Sequence, residues 1–129
     1  MDTIKTLALP AILLILVIGT SMFTLSILSK NALDLEQQIN EIESYTVNKD
    51  WSSAEESLSI IEENWNKVEK TWAVLLDHME IDNIDISLIK MAEYIKTKDS
   101  ALALAEISAL KQYVKHIPEK ESFNLKNLF

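Results

Sequence analysis

The densest group of side chains able to do chemistry in this chain is the run His78-Met79-Glu80-Ile81-Asp82-Asn83-Ile84-Asp85. On a continuous helix His78, Asp82 and Asp85 fall at i, i+4 and i+7 and share one face. An imidazole with two carboxylates is a donor set for a hard or borderline divalent cation. His78, Asp82 and Asp85 are therefore the candidate metal ligands. The same run also has a purely structural reading, because it lies where one long helix should stop and the next begin. Asp82 or Asp85 would then be an N-cap and an anion at a helix N-terminus. Glu80 or Asp82 would accept from backbone N–H groups at the corner, and His78 would cap the end of the preceding helix. His116, the second of the two histidines, joins this group only if its helix lies alongside.

Other chemistry has little to stand on. There is no Cys, which removes thiolate nucleophiles, disulfides, thiolate zinc sites and lipid attachment through Cys. There is no G-x-S-x-G, and a single glycine cannot build a Gly-rich phosphate loop. Adjacent carboxylates such as Glu55-Glu56 and Glu62-Glu63 read as a solvated helix face. A hydrolase would have to use His78, Glu80 and Asp82 themselves. The sequence points to no enzyme, no catalytic residue and no cofactor.

The elements that would position these residues are organised around an apolar stretch. Residues 7–28 contain no charge. As a helix they span roughly 33 Å, enough to cross a bilayer core of about 30 Å. The expected organisation is a short polar lead (1–6), a transmembrane signal anchor (7–28) and an acidic helical bundle (30–129). Membrane lipid contacts the chain through residues 7–28. Lys5 and Lys30 flank the run almost evenly, so charge orients it weakly. A signal anchor would leave the C-terminal domain outside the cytoplasm; the competing reading is a cleaved signal peptide. Thr20, Ser21, Thr24 and Ser26 make the second half smaller and more polar, as in ordinary spans or in a face that docks another membrane helix.

The remainder is acidic and free of breakers. The net charge is −8, and all twelve cations are Lys. Such a surface repels a phosphate backbone and lacks the Arg that reads it, which excludes a nucleic-acid partner. One Gly and two Pro in 129 residues argue for long helices. Leu35, Ile39 and Ile42 form a first stripe, and Asn48-Lys49-Asp50 a loop. Ser52 and Glu55 then read as a capping box. Trp51, Leu58, Trp65, Trp72 and Met79 recur every seven residues, with Ala54, Ile61, Val68 and Leu75 between them, which describes a buried seam. Ile81, Ile84, Leu88, Met91 and Ile95 mark a third helix. Asp99 is the expected N-cap of a fourth, whose stripe includes Ile107 and Leu110 and which should end at Pro118. Phe123, Leu125, Leu128 and Phe129 suggest a tail folded back on the bundle. The residue identities show no repeat of 20–50 residues. The expected core is Trp51, Leu58, Trp65, Trp72, Leu75, Ile84, Leu88, Ile107 and Leu110. The fold class is all-α: a single N-terminal transmembrane helix followed by an antiparallel bundle of about four helices.

The runs H-M-E-I-D-N-I-D-I-S-L (78–88), E-Y-I-x-x-K-D (93–99) and K-x-x-x-x-H-I-x-E-x-E (111–121), with the ending N-L-F, resemble an uncharacterised family of short proteins from Gram-positive, largely spore-forming bacteria. His78, Glu80, Asp82, Asn83 and Asp85 carry the motif. The resemblance implies one N-terminal span and a helical domain of this size, and no established activity. Some members are encoded beside a small multi-span membrane protein, which implies an accessory role. The sequence thus points to a membrane-anchored module that partners an integral membrane or envelope protein. The alternative is a divalent-cation or small-ligand sensor at the 78–85 corner.

Overall fold

The computed structural model describes residues 2–128. Phe129, expected in the tail, and the side chain of Leu128 lie outside what is described. The described residues form four helices: α1 (Asp2–Val47), α2 (Trp51–Leu75), α3 (His78–Lys96) and α4 (Ser100–Leu128). Connections of two or three residues force each helix to run antiparallel to the one before it. Each helix packs on its two neighbours in the ring α1–α2–α3–α4, and the α2–α3 contact is the sparsest.

The apolar stretch and the first bundle helix are one unbroken helix. No break separates them because no Gly or Pro stands between residues 20 and 47, and Pro10 lies in the early turns. Residues 2–17 are exposed on every side. From there an inward stripe runs through Ile18, Ser21, Leu25, Leu28, Ala32, Leu35, Ile39, Ile42 and Thr46 with spacings of three and four. Leu28 and Ile42 are wholly buried. The bundle seam therefore begins inside the apolar run. The sequence showed it only from Leu35, because in a uniformly apolar segment no polar face reveals which side turns inward.

Both outer turns have the same construction. At the first, Lys49 adopts the left-handed conformation with φ 56°. Its N–H donates to the Thr46 carbonyl at 3.1 Å, and the Asp50 N–H to the Tyr45 carbonyl at 2.9 Å. Asp50 then opens α2, its Oδ1 accepting from the Ser53 N–H at 3.3 Å. At the second, Lys98 has φ 57°. Lys98 donates to Ile95 at 3.1 Å and Asp99 to Tyr94 at 2.9 Å. The Asp99 Oδ1 accepts from the Leu102 N–H at 3.1 Å. These are Schellman endings whose final residue caps the next helix. Asp99 caps α4 as expected; the cap of α2 is Asp50 and not Ser52, because the helix starts one residue before Ser52.

The two turns stand 49 residues apart, and so do the buried positions around them. Leu35, Ile39, Ile42, Ala54, Leu58, Ile61, Trp65 and Val68 correspond to Ile84, Leu88, Met91, Ala103, Ile107, Leu110, Val114 and Ile117. All sixteen are buried. The bundle is two similar helical hairpins. The repeat escapes the residue identities because a hairpin needs only its seam and its turn, and apolar side chains exchange freely along a seam.

Of the remaining expected core residues, Trp72 is wholly buried and Trp51 packs half-buried at the edge. Leu75 is corrected: it is 37 % exposed, and Met79, which should continue the seam, is 74 % exposed. The reason is that α2 stops at Leu75 and the chain turns through Leu76 and Asp77 in extended conformation. The seam ends at Trp72. Pro118 does not end its helix. Ile117, Glu121 and Leu125 keep facing the bundle across it, and this packing offsets the roughly 3 kcal/mol that an internal Pro costs.

Candidate functional site

The 78–85 run is the first half of α3 and not a loop. Asp77, not Asp82 or Asp85, takes the N-cap position, without a side-chain capping bond. Its backbone carbonyl accepts from the Glu80 N–H at 3.1 Å. The signal was present as Asp77-x-x-Glu80, the spacing of a capping box, but the seven-residue Trp pattern running through to Met79 concealed it. His78 is the first residue of α3 and is exposed, so it does not cap α2; the Leu76 N–H closes that helix on the Trp72 carbonyl at 2.8 Å.

α3 carries His78, Asp82 and Asp85 on one side, but they are not gathered into a donor set. Asp82 is exposed and Asp85 half-buried. Asp85 Oδ1 accepts from Trp65 Nε1 across the α2–α3 interface at 2.7 Å. Among the described residues no group of three His, Cys, Asp or Glu is assembled to hold a metal. Glu80 turns toward α4, where Lys120 Nζ donates to its Oε1 at 3.0 Å and lies 3.9 Å from Asp77. The hydrogen bond to Glu80, with the attraction of its charge, holds the Lys120 ammonium above its ordinary range. α4 does lie alongside, and His116 shares with Glu80, Asn83 and Lys120 a cleft of about 270 Å³. The cation in that cleft is the protein's own lysine.

A second polar set spans α2 and α3. A groove of about 480 Å³ opens there, bordered by Trp65, Asp85, Leu88, Ile89 and Lys96. Burial, then the nearby Asp85 and Asp82 carboxylates, push Glu69 above the usual carboxylate range. Trp65 also meets Trp72 edge to face, with centroids 5.6 Å apart and planes at 83°, the arrangement favoured by ring quadrupoles. Trp72 Nε1 is buried and has no hydrogen-bond partner among the described residues.

The third set is the one the sequence only half disclosed. Where α1 leaves the bundle, a cleft of about 240 Å³ is lined by Thr20, Ser21, Thr24 and Leu25 of α1 and by Glu121, Asn124 and Leu125 of α4. Among the described residues no side-chain hydrogen bond crosses it. Burial, then the Glu80 charge, raise Glu121 above the usual carboxylate range, with Lys120 opposing. Thr20, Ser21 and Thr24 were visible as a polar softening of the span. Glu121 was missed because Pro118 was read as a stop; its position four residues after Ile117, on the seam, was the available signal. Hydroxyls, an amide and a carboxylate at the mouth of an apolar helix can hydrogen-bond a second helix brought against them.

A family model described as a domain of unknown function, DUF4363, matches residues 22–128. The chain belongs to this family. The DUF4363 match begins at Met22, within one turn of the point where α1 first meets α4, so the family region coincides with the packed bundle and the all-round exposed segment precedes it. Comparison with curated proteins and with solved structures found no match. α1 is long and apolar enough to cross a membrane, with almost none of its most apolar window buried.

Proposed function

We propose that this protein is a membrane-anchored accessory module, with α1 as a single-pass anchor and the bundle outside the cytoplasm, that partners an integral membrane or envelope protein. The observation that carries the reading is the change of character along α1. Its residues 2–17 are apolar or uncharged apart from Asp2 and Lys5 and are exposed on every face, while the same rigid helix becomes a bundle helix from Ile18. A segment apolar all round requires an apolar surrounding. A continuous helix then fixes the bundle, and the polar cleft at its base, at the edge of the bilayer. Ser21, Thr24, Glu121 and Asn124 there are the surface offered to the partner's membrane helix. Taken with the resemblance noted from the sequence, the setting is a Gram-positive envelope.

The lipid-facing length is best assigned to residues 4–23, about 30 Å as a helix. Met22 and Phe23 are the last large apolar side chains of the run that stay exposed, and a deeper insertion would carry more of the cleft that Glu121 and Asn124 line into hydrocarbon. The reading is non-enzymatic. Of the carboxylates that a hydrolase would use with His78, Glu80 is already bonded to Lys120 and Asp82 is exposed on the surface of α3.

Two measurements test this. A reporter active only outside the cytoplasm, fused after Phe129, is expected to be active in a full-length, membrane-retained product; an inactive fusion reverses the topology. Affinity purification of the tagged full-length protein from native membranes is expected to recover a specific membrane partner that is lost with Glu121→Leu and Ser21→Leu. Recovery of no specific partner removes the accessory role.

A further inference from the structure

The corner joining α2 and α3 lies at the same end of the bundle as the exposed apolar part of α1. Lys120 sets the level: its ammonium reaches Glu80 and Asp77 in the corner, while Pro118 and Glu119 beside it lie against Ser29, Ala32 and Leu33 of α1. The corner is thus level with Ser29. At 1.5 Å per residue that is roughly 9 Å beyond Phe23 and roughly 2 Å beyond Leu28. These two residues bracket the hydrocarbon edge, since Phe23 is the last large apolar side chain of the run that stays exposed and Leu28 is the last apolar residue before Lys30. The headgroup layer outside that edge is about 5–7 Å thick. Either limit places the corner in or against that layer.

Beside the exposed Asp77 and His78, the corner offers several apolar side chains at that level. Val74 is 85 % exposed and Met79 74 %. Leu75 stands between them, and Phe123, on α4 beyond Lys120, is 63 % exposed at the level where α1 carries Phe23. Single exposed apolar residues elsewhere, such as Ile60, are ordinary. Four at one end, the end from which a helix apolar all round emerges, form a contact surface.

We propose that this corner is seated in the lipid headgroup layer, with Val74, Met79 and Phe123 turned to the acyl boundary, so that the bundle is held on the bilayer at two places. The proposal rests on the reading of α1 as a membrane anchor. α1 alone leaves the bundle free to rotate about the helix axis. A second foothold fixes which face, the α1–α4 cleft or the α2–α3 groove, is turned along the membrane.

The absence of native cysteine allows a direct test. Full-length Leu14→Cys, Val74→Cys, Met79→Cys and Ile60→Cys variants, each carrying a polarity-sensitive fluorophore, are placed in phosphatidylcholine nanodiscs with bromine near the headgroup end of the acyl chains. All four side chains are exposed, so the fold is not disturbed. The Val74 and Met79 labels are expected to be blue-shifted and to lose at least half of their emission to bromine, while the Ile60 label keeps a water-like spectrum. Water-like Val74 and Met79 labels beside a blue-shifted Leu14 label overturn the second foothold and leave the anchor standing. A water-like Leu14 label overturns both. Blue-shifted corner labels that bromine does not quench place protein against the corner and overturn the lipid seat.

Discussion

The two hairpins of the bundle share their outer turns and most of their seam, and part company at the end where α1 leaves the bundle. Counting 49 residues on from Trp72 reaches Glu121, and from Leu28 reaches Asp77. The first hairpin closes with a wholly buried Trp and Leu. The second closes with a half-buried carboxylate, and with an exposed Asp bridged to Lys120. A seam position that accepts a Trp in one hairpin has no packing need for a carboxylate in the other. The polar end of the second hairpin is therefore the part of this molecule least explained by folding, and the part where interaction is to be sought. The first hairpin, which carries α1 out of the bundle, is the part most explained by it.

Truncating the two equivalent positions gives the largest contrast. Trp72→Ala should cost about 3–5 kcal/mol, since it empties a packed aromatic site. Glu121→Ala should change stability by less than about 1 kcal/mol, the range of a substitution away from the core. Denaturant unfolding of the full-length protein in micelles, followed by circular dichroism, measures both. Equal losses would mean that Glu121 is a structural residue, and the comparison between the hairpins would lose its functional meaning.

Trp65 sharpens the comparison about two turns further along α2 from the corner. Its counterpart Val114 has only apolar contacts to lose, whereas Trp65 Nε1 donates to Asp85 at 2.7 Å. Trp65→Phe keeps much of the ring and removes that bond. It should cost about 1.5–3 kcal/mol, as hydrogen bonds to charged groups do, and should open the α2–α3 groove to faster amide exchange. Val114→Ala, a loss of two methyl groups with no polar partner, should leave the groove's exchange unchanged. A W65F variant as stable as the parent would show that the bond is replaced by water without loss.

These contrasts also mark how far the sequence could be read. The seam residues Leu58, Trp65, Ile84, Leu88, Ile107 and Leu110 were legible because polar residues separate them at helical spacing. Asp99 was legible because a cap announces itself locally. The α2–α3 corner was misplaced because two signals collided there: the seven-residue Trp repeat favoured a helix through Met79, while Asp77-x-x-Glu80 favoured a new start. Tertiary packing decided for the latter, since Lys120 of α4 meets Glu80. The tail beyond Pro118 was unreadable for a related reason: local propensity says stop, and only the presence of α1 alongside makes continuation favourable. The base cleft needed both helices at once. Thr20 and Ser21 lie a hundred residues from Glu121, and no local pattern joins them.

The outer turns, by contrast, predict equal behaviour. Lys49 and Lys98 hold φ of 56° and 57°, a conformation that costs an L-residue roughly 1–2 kcal/mol and glycine nothing, although glycine gives back part of this in backbone entropy. Lys49→Gly and Lys98→Gly should each stabilise by about 0.5–1 kcal/mol, by similar amounts, and additively, as the turns belong to separate hairpins. Thermal unfolding of both single variants and the double variant measures this. A gain at one turn only would break the equivalence on which the pairing of the hairpins rests.

The smallest effect concerns the charge of Glu121. Burial against α1, then the Glu80 carboxylate, raise its carboxyl above the ordinary value near 4.5. A carboxyl raised on folding favours the folded state fully when both states are protonated, and that contribution is lost as pH rises through the raised folded value. Glu121→Gln keeps the shape and cannot ionise. At neutral pH it should therefore unfold at a slightly higher temperature than the parent, and the gap should close as pH falls through the carboxylate range. Glu69, also raised by burial and by Asp85, is present in both proteins and cancels. The corresponding position in the other hairpin, Trp72, carries no charge, so Trp72→Phe should show no such pH dependence. If the Glu121→Gln gap is instead constant with pH, the carboxylate is as well solvated in the folded chain as in the unfolded one. The cleft at the base would then be open water, with no low-dielectric surface for a partner helix to complete.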